Sequence, residues 1–134
     1  MLGNDDKREA GIAALRAEVG RLASLSLVAL AAEILGAVFG PPGPGSNFSF
    51  MTDVTTANVF ISDVSAWSNE DTTRHQLVAL VGEGLQVLEH ACLIRAQIIR
   101  VDDVNVALGW MLTRSGAAAL AQGRVVQAIG SPTS

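Results

Sequence analysis

The side chains best suited to metal binding or nucleophilic catalysis in this 134-residue chain are His75, His90 and Cys92. His90 and Cys92 are two positions apart, so on a helix their side chains point to roughly opposite sides and cannot share a metal ion. His75 lies a full helix earlier in the sequence. No nucleophile motif is present, and the chain has no tyrosine. We therefore expect a non-enzymatic protein without a metal site or a cofactor.

With catalysis set aside, charge is the next guide to function. Residues 1–71 carry four basic and nine acidic groups, whereas residues 72–134 carry five and four. Proteins that bind duplex DNA usually concentrate Lys and Arg, because neutralising phosphates releases counterions and supplies much of the affinity. The small positive balance of the second half argues against tight duplex binding, although a dimer needs only a local basic stripe.

Length and composition indicate one globular domain spanning 1–134. A chain of this length buries about two-thirds of its unfolded surface, and its 49% apolar and 16% charged residues are unlike those of disordered chains. The single cysteine, Cys92, cannot form an internal disulfide. This composition suits the reducing cytoplasm, and it leaves an intermolecular disulfide open.

The first forty residues predict one long helix or two consecutive helices. Ile12, Leu15, Val19 and Leu22 recur at helical spacing and form an apolar stripe. The following run to Gly40 is apolar on nearly all sides, with Glu33 as its only charge. A membrane span and a signal peptide are the weaker interpretations, because Glu33 is costly in a bilayer and the preceding segment is long and net neutral. We expect a helix buried in the core or in a dimer interface.

Glycine and proline then interrupt the helical pattern at residues 40–46, which we interpret as a stiff linker. Residues 47–67 mix β-branched and aromatic side chains without clean alternation. They predict a short strand and a short helix.

A second long helical pattern begins near Ser68, where Ser68 and Asp71 have capping-box spacing and either Asn69 or Asp71 is an alternative cap. Two interpretations stay open because Gly82 and Gly84 weaken the helix. Either residues 82–84 form the turn of a helix-turn-helix, or one helix runs through with small residues where a neighbour approaches closely. The predicted buried stripe is Leu77, Leu80, Val81, Leu85, Leu88 and Ala91.

Beyond that helix, residues 97–101 and 107–112 predict a β-hairpin with a loop at 102–106. Thr113 then caps a final helix that ends at Gly130. The competing interpretation takes Asp102 as the cap of a helix carrying Val104, Ala107, Leu108 and Met111, which would resemble a histone-type fold. We favour the hairpin.

Two segments carry a resemblance to a known family: residues 84–95, which read GLQVLEHACLIR, and residues 110–116, which read WMLTRSG and are followed by Ala119 and Leu120. They resemble the recognition helix and wing of winged-helix regulators, in particular the MarR-type and PadR-type families, over roughly residues 72–128. The resemblance implies a mainly α fold with a small β-hairpin (α+β), a winged helix-turn-helix with long N-terminal helices. Residues 1–40 would then form a homodimer contact and residues 47–130 the winged-helix core.

The resemblance also implies a function, that of a dimeric regulator of transcription that binds double-stranded DNA. Gln86 and His90 would then meet base edges. Arg74, Arg95 and Arg100 would reach phosphates, and Arg114 is a further candidate for a DNA contact. The alternative is a non-catalytic interaction module, with a winged-helix or histone-like core, that dimerises or docks on a partner protein.

Overall fold

The computed structural model describes residues 4–46, 49–61 and 71–130. These residues form a mainly helical structure with one antiparallel hairpin, which confirms the expected α+β class. The elements are α1 (Asn4–Ala23), α2 (Leu27–Ile34) with a π-helical extension (Leu35–Phe39), α3 (Asp53–Asn58), α4 (Asp71–His90), β1 (Ile94–Arg100), β2 (Val106–Leu112), α5 (Arg114–Gln122) and α6 (Val125–Gly130).

The N-terminal region is two helices rather than one. Ser26 interrupts the run in extended conformation, and its side chain accepts a 3.2 Å hydrogen bond from the backbone N–H of Ala29, so it caps α2. Across this turn, Arg21 at the end of α1 lies 2.7 Å from a carboxylate oxygen of Glu33 on α2 and also pairs with Glu18. The charge inside the apolar run is therefore paired with α1.

Helix α2 and its extension form the centre of the core. Their buried side chains pack mainly against α4, which shows that the apolar run is a core helix. Among the described residues, no helix combines the length and hydropathy needed to cross a membrane. The buried side chains of this segment are Leu30, Ala31, Ile34, Leu35, Val38 and Phe39.

The glycine- and proline-rich segment that follows is not the expected stiff linker. It folds back onto the end of the π-helical extension, where the N–H of Gly45 donates a 2.7 Å hydrogen bond to the carbonyl of Val38. Gly43 passes so close to this helix end that an added Cβ would lie 2.5 Å from the carbonyl oxygens of Ala37 and Val38. Only glycine permits this approach.

The segment before α3 joins the hairpin to the helices. Met51 and Trp110 exchange two backbone hydrogen bonds of 2.9 and 2.8 Å, so the expected strand is reduced to a single antiparallel bridge. Thr52 caps α3 in a reciprocal capping box with Thr55. Of the region predicted as strand and helix, residues 47–48 and 62–67 lie outside the described residues, as do Ser68 and Asn69.

Helix α4 is continuous from Asp71 to His90, so of the two interpretations left open the continuous helix is confirmed and the turn at residues 82–84 is wrong. The small residues instead allow close packing, because a Cβ on Gly84 would lie 2.3 Å from Cδ1 of Ile34. The buried stripe contains Leu77, Val81, Leu85 and Leu88, whereas Leu80 and Ala91 are only partly buried.

Strands β1 and β2 pair in the register Ile94↔Leu112 through Arg100↔Val106, which confirms the hairpin and excludes the histone-like helix. The side chain of Asp102 accepts hydrogen bonds from the N–H groups of Val104 and Asn105 and so stabilises the turn instead of capping a helix. The helix capped by Thr113 does not run unbroken to Gly130. It stops where Gly123 adopts a left-handed conformation, and α6 follows.

Candidate nucleic-acid interface

The exposed side of α4 is one polar row opposite its buried stripe. Helical spacing places His75, Gln86 and His90 on this row, and all three are exposed. On one flank, α1 and α4 enclose a groove of about 850 Å³ lined by Gln76 and Glu83 of α4. Gln86 and His90, the two side chains expected to meet base edges, do not line this groove.

Arg95 and Arg100 do not act together, although both lie on β1. Side chains alternate between the faces of a strand, and five positions separate these two, so they project to opposite faces. Arg95 is paired with Met111 and places a guanidinium nitrogen 3.7 Å from its sulfur. Arg100 is paired with Val106 near the turn. One face of the hairpin therefore offers Arg95 and the other offers Arg100.

The base of the hairpin gathers three of the candidate residues. The carbonyls of Cys92 and Leu93 accept hydrogen bonds from the hydroxyl and the N–H of Thr113, at 2.7 and 3.1 Å. This junction joins the end of α4 and the start of β1 to the start of α5. The candidates that lie within three residues of it, all exposed, are His90, Arg95 and Arg114.

Arg74 is separate from this group. It lies in the first turn of α4, sixteen residues before His90, so the rise of the helix places the two backbones about 24 Å apart. Its side chain is half-buried and already interacts within the protein. The structure therefore brings together three of the candidates for DNA contacts, places Gln86 one helical turn away and leaves Arg74 and Arg100 elsewhere.

The tip of the hairpin differs chemically from its base. Asp102 and Asp103 are exposed there, and the hydrogen bond from the Asn105 side chain, with those from two backbone N–H groups, lowers the pKa of Asp102. Around these carboxylates the outer half of the hairpin exposes large apolar side chains. The five are Ile98, Val101, Val104, Val106 and Leu108, with exposed fractions from 54% to 87%.

This apolar surface was not predicted from the sequence. The sequence did contain a signal for it, because large apolar residues continue along both strands up to the turn, where a solvated hairpin would carry polar side chains. The side chains of Ile98, Val106 and Leu108 share one face with Ile94, Trp110 and Leu112, since their positions pair in register. That face is buried at the base of the hairpin and exposed to solvent towards its tip.

Within the described ranges, no three His, Cys, Asp or Glu side chains are grouped so that they could hold a metal ion. Cys92 is exposed and has a backbone φ of 64° at the end of α4. Comparison of the chain with protein-family models, curated proteins and solved structures found no match.

Proposed function

We propose that this protein is a dimeric DNA-binding regulator of the winged-helix type. The observation that carries the proposal is the order and exposure of the elements after residue 71. A helix with a polar exposed row, α4, leads into an antiparallel hairpin and then into a helix capped by Thr113. This order is the one implied by the resemblance to MarR-type and PadR-type regulators.

In this proposal the side chains around the hairpin base have separate roles. Gln86 donates to and accepts from a base edge in the major groove, the geometry that suits adenine, and His90 reads a neighbouring position. Arg95 and Arg114 contact phosphates and fix the position of α4 on the duplex. Arg74 and Arg100 lie outside this surface, so we assign them no direct contact.

A titration of labelled duplex DNA at several salt concentrations, read by fluorescence anisotropy, tests the proposal. Binding should weaken as salt increases, because each neutralised phosphate releases counterions. Arg95→Ala and Arg114→Ala should each reduce the slope of log affinity against log salt by about 1. Arg124→Ala is the matched control, since it removes the same exposed charge outside the proposed surface. If the wild-type protein shows no salt-dependent binding even at low ionic strength, the proposal is wrong.

The second candidate is a non-catalytic module that binds a protein. The exposed apolar side chains of the outer hairpin favour it, because covering this valine-rich surface with a partner lowers the free energy. The carboxylates that flank the surface also repel phosphates. Under this alternative the polar row of α4 makes no base contacts. The DNA titration separates the two candidates, since an interaction module has no salt-dependent affinity for duplex DNA.

A further inference from the structure

The carboxylate of Asp53 lies between the hairpin and α4. Its Oδ1 atom accepts a 2.8 Å hydrogen bond from the indole N–H of Trp110 on β2. Its Oδ2 atom lies 3.7 Å from the point where a Cβ on Gly82 of α4 would be, and glycine has no side chain to keep it further away. One half-buried side chain is therefore bonded to the hairpin and lies beside the helix that carries Gln86.

The hairpin is attached to the rest of the protein at two levels. At its base, where β1 follows α4, Ile94 and Leu112 are buried in the core. Two residues further along β2, Trp110 is joined to the segment before α3 by the backbone bridge with Met51, and to α3 itself by Asp53. An attachment at the base alone does not define the tilt of the hairpin, whereas two attachments at different levels do.

We propose that Asp53 is a positioning residue, which sets the angle between the hairpin and α4 and through it the sequence discrimination of the DNA-binding surface. Its effect on discrimination rests on the proposed function. Gln86 follows Gly82 by one turn on the same face of α4, about 6 Å along the helix axis. Arg95 and Arg114 lie at the hairpin base instead. A change in the angle therefore moves the residue that meets the bases relative to those that hold the phosphates.

The burial of Trp110 makes the tilt of the hairpin sensitive to this carboxylate. Trp110 is buried, so its indole N–H has little access to water, and a buried donor without an acceptor costs free energy. When alanine replaces Asp53, a tilt of the hairpin that brings the indole N–H to water relieves this cost. Asparagine keeps an acceptor oxygen and the size of the side chain, so no tilt is needed.

Sequence discrimination and salt dependence respond differently to such a tilt. A hydrogen bond to a base edge weakens steeply when its length or angle changes. The attraction between an arginine and a phosphate acts over about 10 Å at 0.1 M salt. A tilted hairpin therefore lowers the preference for the correct sequence and leaves the salt dependence unchanged. Loss of stability alone reduces the amount of folded protein and leaves the preference among sequences intact.

The first measurement uses no DNA. Spin labels on cysteines introduced by His75→Cys, at an exposed position of α4, and Val104→Cys, at the hairpin tip, report the distance between the two elements by double electron–electron resonance. Cys92→Gly removes the native thiol. The distance distribution should shift or broaden when Asp53→Ala is added, and it should keep its original form with Asp53→Asn. An unchanged distribution with Asp53→Ala would overturn the inference, whether or not the protein binds DNA.

The second measurement compares the affinities for a duplex selected by the wild type and for a scrambled duplex. Asp53→Ala should reduce the ratio of the two affinities about tenfold, which corresponds to the loss of roughly one base contact, at an unchanged salt slope. Asp53→Asn should keep the wild-type ratio. Trp110→Phe removes the donor of the same hydrogen bond and should lower the ratio as Asp53→Ala does. Circular dichroism checks that each variant is folded at the temperature used.

The matched control is Gly123→Ala, which strains the end of α5, where an added Cβ has no neighbour within 4 Å among the described residues. It should lose stability and keep the wild-type ratio of affinities. A ratio that Asp53→Ala leaves unchanged, or that Gly123→Ala lowers equally, would overturn the inference. A wild type that binds no duplex would refute the proposed function, and the distance measurement would then decide by itself whether Asp53 positions the hairpin.

Discussion

The indole N–H of Trp110 donates a 2.8 Å hydrogen bond to a carboxylate oxygen of Asp53, across 57 positions of sequence. Trp110 lies in β2 and is 7% exposed, and Asp53 is the first residue of α3. Together with the backbone bridge between Met51 and Trp110, this bond holds the hairpin against the helical part of the protein. Because α3 packs against α4, this bond also connects the hairpin to α4.

Asp53→Ala should lower the free energy of unfolding by about 1.5 to 3 kcal/mol, the range for hydrogen bonds to charged groups. It leaves the indole N–H of Trp110 without its acceptor and removes a carboxylate from the first turn of α3. Asp53→Asn is the matched variant, since it keeps an acceptor oxygen and should lose less. Urea denaturation followed by circular dichroism measures both. Equal stability of Asp53→Ala and wild type would contradict the assignment.

Cys92→Gly should stabilise the protein by about 1 kcal/mol. Cys92 follows α4 in a left-handed conformation. The N–H of Cys92 donates a hydrogen bond to the carbonyl of Glu89, and the N–H of Leu93 donates one to the carbonyl of Leu88. This is the Schellman motif, in which glycine has no steric penalty. Gly123 occupies the same position after α5 with φ 63°, so Gly123→Ala should destabilise by a similar amount. The midpoints of urea denaturation report both changes, and a shift of both variants in the same direction would refute this account.

Gly82 and Gly84 should respond differently to alanine although they occupy one helix. A Cβ on Gly82 has its nearest contact at 3.7 Å, so Gly82→Ala should stabilise α4 by about 1 kcal/mol through helix propensity. Gly84→Ala must displace the buried side chain of Ile34, and overpacking of this kind costs about 1 to 3 kcal/mol. The midpoint temperature of thermal unfolding should therefore be higher for Gly82→Ala than for wild type, and lower for Gly84→Ala than for Gly82→Ala. The reverse order would show that α2 does not pack at Gly84.

The turn of the hairpin should have a measurable pH dependence. The pKa of Asp102 is lowered chiefly by the side chain of Asn105 and further by the N–H groups of Val104 and Asn105. A lowered carboxyl pKa means that the turn is stabilised at pH values above the ordinary value and loses this stabilisation as the pH falls through the lowered one. In an NMR titration, Asn105→Ala should move the pKa of Asp102 upward. An unchanged midpoint would remove Asn105 as the main cause.

Gln86→Ala should reduce discrimination between DNA sequences without changing the salt dependence of binding. A bidentate contact between a glutamine amide and adenine contributes about 1 to 3 kcal/mol of discrimination against the wrong base. The variant should therefore bind a duplex selected by the wild type more weakly, and a scrambled duplex equally well. Competition binding with the two duplexes measures this ratio. An unchanged ratio would place Gln86 outside the base contacts.

Several elements follow from local sequence alone. The hairpin and its turn depend on β-branched residues and on the Asp102 side chain, and the Thr113 cap depends on hydrogen bonds within one helical turn. These interactions join residues close in sequence, so pattern and propensity are sufficient to predict them. The end of the second helix at residue 40 is predictable for the same reason.

Tertiary packing decided the features that the sequence left open or indicated wrongly. Gly82 and Gly84 permit either a turn or a helix, and contact with Ile34 on α2 accounts for the close packing at Gly84 in the continuous helix. Glycine and proline predict an interruption after Phe39, but they do not predict that the segment folds back and bonds to the carbonyl of Val38.

The grouping of the candidate site residues was also a matter of tertiary structure. The sequence by itself identified which residues carry charge and hydrogen-bonding groups. It could not show that Arg95 and Arg100 face opposite ways, because the predicted strand began at residue 97 and left Arg95 at the end of the preceding helix. Nor could it separate buried from exposed apolar side chains on the hairpin, since burial is determined by where neighbouring elements end.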